Sequence, residues 1–72
     1  MTELVEYLVK KLAENTEEIE VTQEGDVITV ALAKSDMGKV IGRQGKIIKA
    51  IRTIVKAKAD GKKVSVEVVE KD

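Results

Sequence analysis

Residues 38–46 read GKVIGRQGK and contain three of the five glycines of the 72-residue chain. Glycine has no Cβ atom and adopts a positive φ at little cost, so it is common in tight turns. The same property lets another molecule come close to the main chain. Basic and β-branched residues surround these glycines, and the elements on either side indicate which of the two uses applies.

Three patterns precede the glycine-rich segment. Leu4, Leu8 and Leu12 recur at every fourth position and predict a first helix. Polar and apolar residues alternate over Glu18–Thr22, which predicts a half-buried strand. The run Val27–Ala33 (VITVALA) is apolar and rich in β-branched residues, as expected of a central strand. A tight turn that contains a glycine joins the two strands.

Two helices and a strand are predicted in the rest of the chain. Ser35 and Asp36 are typical N-cap residues, and the short distance from them to Gly42 leaves room for only a short helix. A longer helix follows Gly45. Its apolar face is predicted to consist of Ile47, Ile51, Ile54 and Val55, with Ile48 at the margin. The last strand is predicted over Lys62–Val69, with Val64, Val66 and Val68 on one face.

These patterns predict an α+β fold with the element order αββααβ. The tight turn makes the first two strands antiparallel. The two helices between the second and third strands form a crossover, which permits a parallel pairing. We therefore expect a three-stranded mixed sheet with three helices packed on one face. The other face is expected to be polar and to carry Glu18, Glu20, Thr22, Thr29, Ser65 and Glu67.

The composition excludes several classes of site. The chain has no Cys and no His, so it lacks disulfides, thiolate metal sites and the most common general base. Ser35 and Ser65 therefore have no histidine to activate them, and we expect no enzyme activity, no catalytic residue, no metal and no cofactor. Hydrophobic residues make up 43% of the chain and are almost all aliphatic, so an aliphatic core has to stabilise the fold.

The apolar segments are too short for a membrane protein. The longest apolar run is interrupted by Thr29, and the first residues include the acidic Glu3 rather than a basic cluster. Neither a membrane span nor a signal peptide fits this pattern. We therefore expect a cytoplasmic protein that does not contact a membrane.

Charge is strongly segregated along the chain, although the formal net charge is +0. Residues 1–36 contain nine acidic and three basic side chains, whereas residues 37–72 contain ten basic and four acidic ones. Within residues 37–63 nine bases accompany Asp60 alone. Such an asymmetry indicates an anionic partner for one part of the surface.

Three kinds of phosphate-binding loop can be compared with the glycine-rich segment. A Walker A loop, G-x-x-x-x-G-K, would need a glycine where Val40 stands, although Gly45 and Lys46 fit. A Rossmann fingerprint, G-x-G-x-x-G, also fails at Val40, and a helix rather than a strand precedes the loop. The remaining candidate is G-x-x-G between two helices, at residues 42–45.

The full string V-I-G-R-Q-G-K-I-I, residues 40–48, resembles the signature of a KH domain. The order αββααβ resembles the prokaryotic, type II form of that fold. The length of the chain is similar to that of the small bacterial KH proteins of the KhpA family. The resemblance implies that residues 1–72 form a single KH domain, which clamps about four nucleotides of single-stranded RNA. It also implies a role as a small RNA chaperone or post-transcriptional regulator, and a second KH-domain protein or a homodimer as a partner.

The residue types at the loop suit contact with a sugar-phosphate backbone. The two glycines of G-x-x-G let the backbone come close, and N–H groups at the start of the following helix can bind phosphate oxygens. Basic side chains add charge-assisted hydrogen bonds, and a glutamine adds a neutral one. An apolar groove for the bases is implied by the resemblance. The residues predicted to bind RNA are Lys39, Ile41, Gly42, Arg43, Gln44, Gly45, Lys46, Ile48 and Lys49.

Two further residues qualify this prediction. Gly38 is expected to serve packing, by letting the short helix approach a neighbour, rather than RNA. The only aromatic residue is Tyr7, far from the loop in sequence, so stacking on aromatic rings is not expected to be the main source of affinity. Modest affinity and weak sequence preference are therefore expected.

Three alternatives stay open at the level of sequence. Single-stranded DNA could replace RNA, since no residue marks a reader of the 2′-hydroxyl group. The acidic first half could instead make the chain a protein-interaction module that pairs with itself or with another KH protein. The heavy use of Val, Ile, Lys and Glu also suits a designed or consensus KH domain without a specific target.

Overall fold

Three α-helices and three β-strands follow one another in the predicted order in the computed structural model, which describes residues 1–71. Their bounds are α1 Thr2–Leu12, β1 Glu20–Glu24, β2 Val27–Leu32, α2 Lys34–Ile41, α3 Lys46–Lys58 and β3 Ser65–Glu70. Two 3₁₀ turns, Thr16–Glu18 and Arg43–Gly45, lie between elements. Among residues 1–71, no helix has both the length and the apolar character needed to cross a bilayer.

The sheet has β2 at its centre. β1 pairs with β2 antiparallel, with Val21 opposite Val30, and β3 pairs with β2 parallel, with Val66 opposite Ile28. Gly25, at φ +62°, allows the tight turn between β1 and β2. A mixed sheet with three helices against one face confirms the predicted α+β, type II KH architecture.

The core lies between this sheet and the helices and is entirely aliphatic apart from one carboxylate. Every second residue of β2 is fully buried, namely Ile28, Val30 and Leu32. The helices contribute Val5, Val9, Val40, Ile48, Ile51 and Val55. In α1 the valines are therefore the fully buried residues, while Leu8 and Leu12 are only partly buried against them.

One residue of the predicted apolar face of α3 lies elsewhere. Ile54 is 40% exposed, whereas Ile48, which was placed at the margin, is buried. An α-helix turns about 100° per residue, so Ile48, Ile51 and Val55 fall within a narrow arc that faces the sheet. Ile54 lies about 95° from the centre of that arc. The prediction for Ile54 was therefore wrong because the sheet covers only one side of the helix.

The open face of the sheet is mostly polar, as predicted, with one difference. Glu18 does not belong to it, because the chain forms the turn Thr16–Glu18 before β1 begins at Glu20. Val69 lies on this face, opposite to Val66 and Val68 as the alternation of the last strand predicts, and is 42% exposed. The register places Val69 beside Ala31 of β2 on this face.

A buried carboxylate connects α2 to the segment that follows α1. Asp36 has no exposed surface, and its oxygens accept hydrogen bonds from the backbone N–H groups of Glu14 and Asn15, both at 3.0 Å. The side-chain amide of Asn15 donates to the same carboxylate at 3.1 Å and to the hydroxyl of Ser35 at 3.2 Å. Three donors on one carboxylate form a strong clamp between distant parts of the chain.

This clamp replaces the N-cap role that was predicted for Ser35 and Asp36. The helix begins at Lys34, before both predicted cap residues, and its actual N-cap is Ala33, which has an extended conformation and makes no side-chain hydrogen bond. Ser35 and Asp36 therefore lie inside the first turn, where a carboxylate still suits the positive end of the helix. The capping prediction was wrong because Asp36 satisfies donors of another segment instead.

We expect Asp36→Asn to destabilise the fold most at neutral pH. Backbone N–H groups of Glu14 and Asn15 lower the pKa of Asp36 below its ordinary value of 3.8, although burial opposes this shift. The stabilisation from the ionised carboxylate is therefore complete above pH 3.8 and is lost as the pH falls through the lower native pKa. Urea unfolding of both proteins across this range should show a difference in stability that shrinks on acidification.

Asp60→Asn is the matched control, because Asp60 is an exposed aspartate in a turn. It should change the unfolding free energy little at any pH. A difference between wild type and Asp36→Asn that stays constant into strong acid would contradict the role of the ionised carboxylate.

Candidate nucleic-acid interface

The G-x-x-G segment forms a compact reversal between α2 and α3. Gly42 ends α2 with φ +78° and ψ 172°, and its N–H donates to the carbonyl oxygen of Gly38 at 2.9 Å. Gln44 and Gly45 both have left-handed backbones, with φ +58° and +74°. The N–H of Gly45 donates to the carbonyl of Gly42 at 3.1 Å, and α3 starts at the next residue. Two successive left-handed residues turn the chain within four positions.

The three glycines of the segment have different structural roles. A Cβ atom on Gly42 would lie 2.6 Å from Cγ1 of Ile47, so packing alone requires glycine there. A Cβ atom on Gly45 would lie 3.9 Å from Cγ2 of Ile48, which is an ordinary contact, so only its positive φ favours glycine. A Cβ atom on Gly38 would meet nothing within 4 Å. Gly38 therefore does not serve close packing, and that prediction was wrong.

The loop presents backbone donors to solvent. The N–H groups of Arg43 and Gln44 make no hydrogen bond to the described residues, and both side chains are exposed. They lie at the N-terminus of α3, where the partial charge of the helix is positive. This arrangement can bind an anion through the main chain.

Three cations next to these donors have no acidic partner. Among residues 1–71 the ion pairs involve Lys10, Lys39 and Lys71, so Arg43, Lys46 and Lys49 keep their charge available. All three are exposed. Lys46, Lys49 and Lys56 are spaced so that they follow one side of α3, away from its core face. They form a basic stripe, Arg43–Lys46–Lys49–Lys56, that begins at the loop.

Lys39 is placed differently from the other predicted cations. Its ammonium lies 2.6 Å from Oε1 of Glu14, in the segment after α1. The two side chains are 42% and 77% exposed. Lys39 lies three residues before Gly42 and thus within one turn of the loop. Its ammonium group is already paired with the carboxylate of Glu14.

The two predicted apolar residues are also unequal. Ile48 is only 7% exposed and belongs to the core, so it offers little surface to a base. Ile41 is partly buried at the end of α2 and keeps an accessible side. The helix-facing side chains of the central strand, Ile28, Val30 and Leu32, are fully buried and offer no surface to a base.

An accessible groove lies between α3 and β3. Arg52 and Lys56 form one wall and residues 64–67 the other, around a space of about 270 Å³. A second space of about 440 Å³ adjoins it at Lys56 and extends past Lys62 and Lys63. The groove begins at Arg52, about 9 Å along the helix from Lys46. Sequence reasoning missed this groove because it depends on β3 lying at the edge of the sheet.

The edge of β3 leaves backbone groups free along the groove. The N–H of Ser65 donates to Asp26 at 2.8 Å and that of Lys71 to Leu32 at 2.7 Å, so alternate residues of β3 pair with β2. The residues between them, Val66 and Val68, direct their N–H and carbonyl groups to the open edge. One of these carbonyls, that of Val66, accepts a hydrogen bond from Nε of Arg52 at 3.1 Å.

The single aromatic side chain is engaged by a cation of its own helix. Tyr7 is 58% exposed on α1, and the ammonium of Lys11 lies 5.2 Å from the centre of its ring. No residue of the loop, the basic stripe or the α3–β3 groove is aromatic. Any base held here would contact aliphatic groups and backbone rather than a ring.

Comparison with known proteins identifies the family to which the chain is similar. The family model described as "KhpA/KhpB, KH domain" matches residues 2–69. The "RNA-binding protein KhpA" of Clostridium perfringens is 45% identical over 96% of this chain and 100% of its own length. The proteins of the same name from Caldanaerobacter subterraneus and Chlamydia trachomatis are 44% and 40% identical over 96% and 97% of this chain, and 100% and 97% of their own lengths. No solved structure matches the chain.

The two loop glycines should differ when each is replaced by alanine. We expect Gly45→Ala to cost about 1 kcal/mol, since it only forces an L-residue into the left-handed region. Gly42→Ala should cost roughly 2–4 kcal/mol, because it adds a collision with Ile47 to the unfavourable φ. Urea unfolding followed by circular dichroism measures both values.

Ile47→Ala provides an internal test of the cause. Removing this side chain should relieve part of the cost of Gly42→Ala and none of the cost of Gly45→Ala. Equal losses for the two glycine variants, or the same effect of Ile47→Ala on both, would show that the contact does not govern the loop.

Proposed function

The chain belongs to the KhpA/KhpB KH-domain family, and on that premise we propose that it binds single-stranded RNA through residues 42–49. The observation that carries this proposal is the exposed loop, whose free N–H groups lie beside three unpaired cations. The relatives are named RNA-binding protein KhpA, and this ligand class agrees with the proposal. The proposed activity is binding, without catalysis.

The phosphate backbone is assigned to the loop and to the start of α3. The N–H groups of Arg43 and Gln44 and the positive end of the helix receive phosphate oxygens, while Arg43, Lys46 and Lys49 supply charge. About four nucleotides fit a clamp of this kind. With three cations engaged, the logarithm of the affinity should fall with the logarithm of salt concentration with a slope of about −2.

The bases are assigned to the apolar side of the loop and to the α3–β3 groove. Ile41 and Val64 provide aliphatic contact, while the N–H of Val66 and the N–H and carbonyl of Val68 provide donors and an acceptor for base edges. Ile48, which is 7% exposed, packs in the core and adds only a small apolar surface for a base. Because no ring stacks on the bases, affinity should be modest and sequence preference weak. Such binding suits a small RNA chaperone or post-transcriptional regulator that meets many transcripts.

A second candidate function is pairing with another KH domain. Ile54 is 40% exposed on α3, and the exposed residues Ala50 and Ala57 lie within about 60° of it around the helix axis. Together the three side chains make an apolar strip among the charged residues of this helix, and contiguous exposed apolar surface, unlike a single exposed side chain, marks protein contacts. We propose that Ile54 belongs to a contact with a second copy of the chain or with a related KH protein, which would leave the loop free for RNA.

The double variant Arg43→Asp/Gln44→Asp tests the loop. We expect it to bind labelled single-stranded RNA about tenfold more weakly or worse, because it removes one cation and adds two anions beside the phosphates. Both side chains are exposed, and aspartate tolerates the left-handed backbone of residue 44, so the fold should persist. Fluorescence anisotropy measures the affinity, and circular dichroism checks the fold.

Lys58→Asp/Gln23→Asp is the matched control with the same change in charge. Both residues are exposed, and Lys58 lies about 18 Å along α3 from Lys46. This variant should lose much less affinity than the loop variant. Equal binding by the wild type and the loop variant would rule out the loop as the RNA site, and a parallel titration with single-stranded DNA separates the two nucleic acids.

Ile54→Lys tests the pairing proposal. In analytical ultracentrifugation over a range of concentrations, we expect the wild type to self-associate and the variant to shift towards the monomer. Val69→Lys is the control, because Val69 is similarly exposed, at 42%, but lies on the open face of the sheet. A wild type that is monomeric throughout, or a loss of association only in Val69→Lys, would exclude Ile54 from a contact between copies.

A further inference from the structure

The segment between α1 and β1 carries a carboxylate to the candidate RNA interface. Glu14 lies 25 positions before Lys39 in sequence, and its Oε1 is 2.6 Å from the ammonium of Lys39. Lys39 is within one turn of Gly42. The basic part of the chain, residues 37–63, contains Asp60 as its only acid, so the anion that neutralises Lys39 comes from a different element.

Hydrogen bonds of the backbone, and not only the ion pair of its side chain, hold Glu14 in place. The N–H groups of Glu14 and Asn15 both donate to the carboxylate of Asp36 at 3.0 Å, and Asp36 has no exposed surface. Asp36 and Lys39 are three residues apart on α2, hence on neighbouring positions of one face. The clamp therefore holds the α1–β1 segment against the helix and keeps Glu14 beside Lys39.

We propose that Glu14 is an intramolecular competitor for RNA phosphate at Lys39 and thereby lowers the affinity of the interface. The proposal rests on the function proposed above, since it assumes that the chain binds RNA and that the RNA passes beside Lys39. A phosphate that approaches Lys39 has to displace the Glu14 carboxylate or share the ammonium with it. Glu14 is 77% exposed, so it can turn away into solvent without breaking the Asp36 clamp.

The charge balance gives the competition a measurable signature. The Lys39–Glu14 pair is neutral as a unit, so its contact with RNA adds little to the net release of counterions. Without the carboxylate, Lys39 acts as one more cation at the interface. The salt dependence of binding should then become steeper by about 0.7, the value for one contact with a single strand.

The size of the effect should be modest, because both partners are partly exposed. Exposed ion pairs contribute little to stability, and displacing one should change the affinity by roughly two- to fivefold. The expected direction is opposite to that of most substitutions at a binding surface. Removing a residue next to the site should here improve binding.

Glu14→Gln tests the proposal with labelled single-stranded RNA. We expect this variant to bind about two- to fivefold more tightly than the wild type and to show the steeper salt dependence. Glu6→Gln is the matched control, because Glu6 is also ion-paired, with Lys10 at 2.9 Å, and its loss changes the net charge equally. The control should leave the affinity and the salt dependence near wild-type values.

Lys39→Met, alone and combined with Glu14→Gln, identifies the route of the effect. If Glu14 acts through Lys39, its substitution should no longer tighten binding once Lys39 is absent. A gain that persists in the Lys39→Met background would mean that Glu14 repels RNA directly, and it would overturn the proposal. Equal effects of Glu14→Gln and Glu6→Gln would overturn it as well.

The loop variant separates this proposal from the proposed function. If Arg43→Asp/Gln44→Asp binds like the wild type while Glu14→Gln still tightens binding through Lys39, the loop assignment fails and the competition at Lys39 stands. If the loop variant loses binding and Glu14→Gln has no effect, the loop assignment stands and the competition is wrong. A wild type that binds no RNA would overturn both.

Discussion

The contact between Gly42 and the side chain of Ile47 sets how α2 and α3 meet, and much of the interface follows from it. With no room for a Cβ atom at Gly42, the helices approach closely and the chain must reverse within four residues. The reversal uses left-handed backbones at Gln44 and Gly45, and within the described residues the N–H groups of Arg43 and Gln44 make no hydrogen bond. The core then fixes the rotation of α3: because Ile48, Ile51 and Val55 face the sheet, the basic stripe on the other side of the helix faces solvent.

Most of the fold could be predicted because local periodicity determines it. The alternation over β2 and the position of G-x-x-G between two helices are visible in consecutive residues, and they yielded the element order and the sheet pairing. Ile54 was misplaced because helical spacing shows which residues share a face but not how wide a strip the sheet covers. The bond that Asp36 makes to the α1–β1 segment crosses 21 or 22 residues, so no local pattern indicates it.

The candidate site was predictable to a similar degree. The string of residues 40–48 predicts a loop between two helices with basic side chains in solvent. Arg43 and Lys46 are exposed at this loop. What could not be foreseen depends on which elements become neighbours. The ion pair of Lys39 needs the α1–β1 segment to lie on α2, and the α3–β3 groove needs β3 to occupy the edge of the sheet. Both are consequences of topology and not of composition.

The G-x-x-G residues, 42–45, affect both the stability of the fold and the proposed RNA binding. The glycines matter more for stability, and the two residues between them matter more for binding. A domain of 72 residues has a small core and a narrow margin of stability, so a substitution at Gly42 would lower binding by unfolding the protein as readily as by blocking phosphate. Arg43 and Gln44 have exposed side chains that contribute nothing to the core. Loss of RNA binding at these two positions, with the fold intact, would therefore report on contact alone. The glycines define the shape of the loop, and the residues between them are where its chemistry can be tested.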